Sequence, residues 1–176
     1  MIYLGQKIGS LWYSAMKRII VIGCPGSGKS TFSRKLHKLT GIPLYHLDLM
    51  YWNPDRTIVD KSVFRERLVN AIQSEEWIID GNYKSTLEMR LQACDTVVFL
   101  DYTVNVCLDG IKKRRGKPRT DMPWIENEED GEFIEFVKNY NCQNRPRVME
   151  LLNQYANKDI YIFKERKEAN EFLNRL

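Results

Sequence analysis

The chain has 176 residues and a formal net charge of +4, from 27 basic and 23 acidic residues. That excess suits an anionic small ligand and does not by itself argue for nucleic acid. Its 43% apolar and 28% charged residues are those of a soluble globular domain, and no run is long and apolar enough to span a bilayer. Cys24, Cys94, Cys107 and Cys142 are scattered without metal-ligand or disulfide spacing, which predicts a reduced, cytoplasmic setting.

Residues 1–15 begin apolar but are interrupted by Gln6, Lys7, Gly9 and Ser10, so they do not read as a signal peptide. They read as an N-terminal appendage, with a short docking helix as the alternative, and a single domain is expected over 16–176. "RIIVIG" (18–23) is a β-branched run ending in glycine, a buried strand. Phe32, Leu36 and Leu39 then follow helical spacing, stopped by Gly41 and Pro43. "LYHLD" (44–48) reads as a second strand. Phe64, Leu68, Ala71 and Ile72 stripe a helix over 60–74 that Asp60 or Ser62 caps. "WIID" (77–80) is a third strand. Ser85 to Glu88 has the spacing of a capping box, with Leu87, Leu91 and Cys94 on one face behind it. "TVVFLD" (96–101) is a fourth strand, and Val104, Leu108 and Ile111 mark the helix after it. Residues 116–131 carry glycine, proline and acids without periodicity and read as a mobile loop. A helix restarts at Phe133, is interrupted near Pro146 and continues through Tyr155. "DIYIF" (159–163) is the fifth strand, and Ala169, Phe172, Leu173 and Leu176 form a closing helix. Strands alternating with helices predict a mostly parallel sheet with helices on both faces.

Gly23-x-x-x-x-Gly28-Lys29-Ser30 is a phosphate-loop pattern between a strand and a helix. Gly23, Gly26, Ser27, Gly28, Lys29, Ser30 and Thr31 are the expected nucleotide-binding residues, their backbone N–H groups and the helix N-terminus facing a polyphosphate. Lys29 reaches the β- and γ-phosphates, and Ser30 gives its hydroxyl to Mg²⁺. ATP and Mg²⁺ are thus the expected cofactors. Cys24 fills space in the loop. In open α/β sheets ligands sit at the C-terminal strand ends, where Asp48, Asp80 and Asp101 are expected. Asp48 and Asp80 are read as functional, in proton acceptance or metal support. Asp101 is read as a turn or cap residue.

"KKRRGKPR" (112–119) packs six basic residues into eight. It reads as a phosphate-closing lid in preference to a solvated helix end or a nucleic-acid patch, with Arg114, Arg115 and Arg119 as charge stabilisers. Arg145 and Arg147 return from its far side as substrate contacts. The acidic "ENEED" beyond it argues against DNA. Tyr51 and Trp52 either stack on an acceptor ring or belong to the core, and Arg56 is a candidate for an acceptor's anionic group.

With these motifs in place, the chain resembles the small P-loop kinases of the adenylate kinase and shikimate kinase type. "GCPGSGKSTFSRKL" is similar to their first loop and helix, and "DGNYKST" (80–86) resembles the "DGFPRT" of nucleoside monophosphate kinases. Asp80 and Gly81 match, Asn82-Tyr83 replaces Phe-Pro, and Lys84 stands where those enzymes carry an acceptor-binding arginine. "YHLDLMYW", "WIIDGNY" and the arginine lid together resemble the bacterial topology modulation proteins over residues 17 to about 173. The resemblance implies a three-layer P-loop NTPase fold with a lid and a five-stranded parallel sheet of order 2-3-1-4-5. It also implies ATP- and Mg²⁺-dependent transfer of a phosphoryl group to a hydroxyl or phosphate of a small molecule. Asp48 matches the hydroxyl-facing acid of the shikimate-kinase type. The rival readings are an ATPase switch docking to a nucleoprotein and a nucleotide-binding regulator of DNA.

Overall fold

The computed structural model describes residues 2–3 and 16–176. Among the described residues the elements follow one another as β1 (Ile2–Tyr3), β2 (Arg18–Gly23), α1 (Lys29–Thr40), β3 (Leu44–His46), α2 (Leu47–Tyr51), α3 (Lys61–Ile72), β4 (Trp77–Asp80), α4 (Lys84–Ala93), β5 (Thr96–Leu100), α5 (Val104–Arg114), α6 (Gly131–Gln143), α7 (Arg145–Gln154), β6 (Asp159–Phe163) and α8 (Arg166–Leu173). The sheet order is β1-β6-β5-β2-β4-β3. The strands from β2 to β6 are all parallel. Counted from β2, their order is the expected 2-3-1-4-5. The backbone of Ile2 and Tyr3 adds an antiparallel edge against Ile162 and Tyr161, a strand the sequence reading did not contain. The remainder of the proposed N-terminal appendage lies outside the described residues.

Strand alternation divides the core. Ile19, Val21, Ile78, Val98, Tyr161 and Phe163 face α1, α5, α6 and α8. Ile20, Ile22, Ile79, Val97, Phe99 and Ile160 face α3, α4 and α7. Because both faces are covered, the central strands are apolar along their whole length, which is why they read as unbroken runs.

Two local readings are corrected, and two hold. The second strand ends at His46, not at residue 48, and Asp48 lies in the short helix α2. The fully buried Leu47 looked like strand, but the chain turns there and the Trp52 N–H donates to the Asp48 carbonyl at 3.0 Å. Ser85 does not cap α4, which begins at Lys84 with Tyr83 as its N-terminal flank. A capping box does form, at Glu165 and Glu168 of α8. Asp60 caps α3, accepting from the Ser62 N–H at 2.8 Å. The break near Pro146 falls at Asn144, with proline in the first turn of α7, where its missing N–H costs nothing.

Candidate active site

The phosphate loop runs from the end of β2 to the start of α1. Gly26, at φ 82°, packs against α5 so closely that a Cβ would lie 2.1 Å from the Cys107 carbonyl oxygen, so no other residue fits. A hydrogen bond to Cys107, with burial adding to it, pushes the Cys24 thiol up, consistent with a packing role. Lys29 Nζ folds back to the Cys24 carbonyl at 3.3 Å. The Ser27 hydroxyl is buried with no hydrogen-bond partner among the described residues.

A cleft of about 1340 Å³ opens over this loop. Single-ligand pockets run to about 1,000 Å³, so it has room for a nucleotide and a second small molecule. Its lining comprises Gly26, Ser27, Gly28, Lys29, Ser30 and Thr31 of the phosphate loop, Asp48, Tyr51, Trp52 and Arg56 after β3, Gly81, Asn82 and Tyr83 after β4, and Arg114, Arg115 and Arg119 at and beyond the end of α5. Gly23, Asp80, Lys84, Arg145 and Arg147 do not line it.

Each of those five has a definite place. Gly23 is held by Asn82 from behind the loop. Asp80 is buried at the end of β4, where His46 Nδ1 is 2.8 Å from Oδ2, while Oδ1 has no partner among the described residues. Lys84 opens α4 outside the cleft. Arg145 makes a bidentate pair with Asp101, with Nε at 2.8 Å from Oδ1 and Nη2 at 2.9 Å from Oδ2. Lys164 holds the same carboxylate. Asp101 is therefore an ion-pair anchor after β5, and Thr103 is the residue flanking α5. Arg147 pairs with Glu150 on the surface.

Asp48 accepts a hydrogen bond from the Tyr83 hydroxyl at 2.8 Å. Burial lifts its carboxyl above the usual range and the charge of Asp80 adds to this, against the opposing Tyr83 hydrogen bond and the charges of Lys29 and Arg119. Asp48 thus sits within electrostatic reach of the second strand-end acid, the phosphate-loop lysine and a lid arginine.

The lid arginines are engaged by lid acids. Glu126 takes Arg114 Nε at 2.9 Å and Arg119 Nη1 at 3.0 Å, and Arg115 pairs with Glu129. Asp121 takes Arg119 and also receives Arg34 Nη1 from α1 at 3.2 Å. Burial raises the Asp121 carboxyl, but its bonds to Arg119 and Ser30 outweigh this and hold it well below the usual carboxylate range. Residues 116–131 are thereby tied down onto the phosphate-loop helix. Trp124 of the same segment meets Trp52 edge-on with ring centres 5.2 Å apart. Tyr51 packs on Phe64 and Tyr83 while still lining the cleft, so it is both core and wall.

Sequence reasoning missed His46, Arg34, Arg90 and Asp121 and saw Asn82 and Tyr83 only as departures from the nucleotide-kinase pattern. Arg90 is fully buried and donates to the carbonyls of Gly81, Asn82 and Tyr83. Burial pulls its guanidinium down to about 10.

No protein-family model matches the chain. It is similar to adenylate kinase of Lactobacillus helveticus, 26% identical over 90% of this chain and 83% of the relative. Among solved structures it resembles shikimate kinase from Acinetobacter baumannii in complex with shikimate, with a TM-score of 0.61 at 15% identity, covering 95% of this chain and 94% of that one. Deoxyadenosine kinase from M. mycoides with bound dATP gives a TM-score of 0.50 at 17% identity, over 90% and 98% of the two chains. The likeness to topology modulation proteins rests on the sequence motifs alone. The chain thus has the fold of the small P-loop kinases, and in sequence it is similar to an adenylate kinase.

Proposed function

We propose that the protein transfers the γ-phosphoryl group of ATP to a hydroxyl of a small molecule. The observation that carries this reading is Asp48: a carboxylate that lines the same cleft as Lys29, within its electrostatic reach and hydrogen-bonded to Tyr83. A phosphate acceptor needs cations around it. Arg90 is instead consumed by backbone carbonyls and Lys84 is outside the cleft, so of the cations on residues 48–90 Arg56 is the one that lines it.

In this reading the phosphate-loop N–H groups and Lys29 hold the β- and γ-phosphates. Ser30 and Asp80 are the residues suited to Mg²⁺. Asp80 carries a buried, unpartnered Oδ1 as an outer ligand through water, while among the described residues no cluster of three His, Cys, Asp or Glu side chains forms a site of its own. The metal would neutralise charge on the β- and γ-oxygens. Asp48 orients the acceptor hydroxyl and takes its proton as that oxygen attacks phosphorus. The β–γ bridging bond breaks and ADP leaves. Arg114, Arg115 and Arg119 stand where charge on the transferring group develops.

The test is a coupled ADP-release assay over nucleosides, hydroxylated acids and nucleoside monophosphates. Stimulation by a hydroxyl compound is expected. Stimulation by monophosphates alone overturns the hydroxyl assignment. Stimulation by a protein or nucleic-acid partner, with none by small molecules, favours an ATPase switch.

A further inference from the structure

Residues 81–83 join β4 to α4, and there the chain has Asn-Tyr in place of the Phe-Pro of nucleotide kinases. The Asn82 carboxamide makes two hydrogen bonds to one residue. The Gly23 N–H donates to Oδ1 at 3.1 Å, and Nδ2 donates to the Gly23 carbonyl at 2.7 Å. The last backbone pair between these strands is Val21 with Asp80, followed by the Gly81 N–H donating to the Val21 carbonyl at 3.2 Å. The Asn82 side chain therefore adds a rung to the β2–β4 ladder beyond the end of β4, on the last residue of β2. That rung falls on the first residue of the phosphate loop. Gly23 has φ 152°, and a Cβ there would lie 2.6 Å from the Leu100 carbonyl oxygen. The loop's first residue has no room for a side chain, so its anchor comes from outside.

The next residue reaches the other way. Tyr83 donates its hydroxyl to Asp48. Its backbone, at φ 26° and ψ 82°, is in a region that residues with side chains rarely adopt. Arg90 holds it there through the three carbonyls of residues 81–83. One clamped turn thus touches the donor loop through Asn82 and the acceptor-side acid through Tyr83.

We propose that Asn82 is a positioning residue for phosphoryl transfer: through the Arg90-held turn, it sets the register of the phosphate loop against Asp48. This rests on the kinase reading above. Asn82→Asp keeps the shape and the acceptor for the Gly23 N–H. It puts a carboxylate oxygen against the Gly23 carbonyl where an N–H stood. But Asn82 lines the cleft and the variant adds a negative charge there, so an uncharged variant must show the same effect. Asn82→Ala removes both bonds.

Binding of ADP and of adenosine to the full chain is measured by calorimetry with Mg²⁺, with melting temperature recorded alongside. For Asn82→Ala, and for Asn82→Asp alike, ADP affinity is expected to fall about tenfold or more, the scale of leaving a buried polar group unpaired. Adenosine brings no phosphate to the loop, and its affinity is expected to hold. Unchanged ADP affinity in the uncharged variant overturns the proposal, as does a loss confined to Asn82→Asp, which is charge repulsion, or an equal loss for ADP and adenosine, which would mark a general loosening. Should Asn82→Ala fail to fold, Asn82→Ser, uncharged and too short to make both bonds, decides. A wild-type chain that binds no ADP defeats the kinase reading itself, whereas wild-type binding with indifferent Asn82 variants defeats only the positioning role.

Discussion

His46 Nδ1 lies 2.8 Å from Asp80 Oδ2, so the imidazole of one strand end aims the carboxylate of the next and leaves Oδ1 open. A ligand of a metal's water needs such an orienting partner. Asp80→Asn is expected to weaken Mg²⁺-dependent nucleotide binding, and His46→Ala to do the same to a smaller degree. Losses of about 10- to 100-fold in Mg²⁺ affinity are the scale for such partners. Titrating Mg²⁺ at a fixed concentration of a non-hydrolysable ATP analogue checks this. Unchanged Mg²⁺ dependence in Asp80→Asn would remove Asp80 from the metal's surroundings.

Asp48 gives the reaction an expected pH signature. A proton acceptor works only when ionised, and burial, aided by the charge of Asp80, lifts this carboxyl while the Tyr83 hydrogen bond pulls it down. Because the net shift is upward, acceptor-dependent turnover should fail on the acid side at a pH above the ordinary aspartate value of about 3.9. Tyr83→Phe removes the opposing hydrogen bond and should move the acid limb further up. A limb that stays put in that variant would separate Asp48 from the proton transfer.

Asp101 has the opposite sign. Burial raises its carboxyl, but Arg145 and Lys164 outweigh this and lower it. Its contribution to stability is therefore present above the unfolded carboxylate value and is lost as pH falls through its lower folded value. Asp101→Asn should cost about 1–2 kcal/mol near neutral pH, at the modest end because both cations are partly exposed. The cost should shrink in acid. Urea unfolding of both proteins at neutral and acid pH measures it, and a pH-independent difference would contradict the linkage.

What was legible in the sequence was contiguous. The phosphate loop is one uninterrupted stretch, and the buried strands announce themselves as apolar runs because helices cover both faces of the sheet. What was not legible depends on distant partners. Asn82 and Gly23 are 59 positions apart, and Arg34 and Asp121 are 87 apart. Nothing local to Asp121, in a segment without periodicity, marks it as the acid that meets α1. Asp48 was found as a residue but misplaced as structure, because a fully buried Leu47 reads the same in a strand as in the first turn of a helix. Arg145 and Arg147 looked like lid arginines from composition, yet Asp101 and Glu150 hold them away from the cleft.

The most direct test of the central claim compares wild type with Asp48→Asn, measuring acceptor-stimulated ADP release and nucleotide affinity on the same preparations. If the chain is a hydroxyl kinase with Asp48 as its proton acceptor, the variant keeps nucleotide affinity and loses stimulated turnover by about a hundredfold or more, the usual scale for a general base. Loss of nucleotide binding in Asp48→Asn, or no loss of turnover at all, would contradict it.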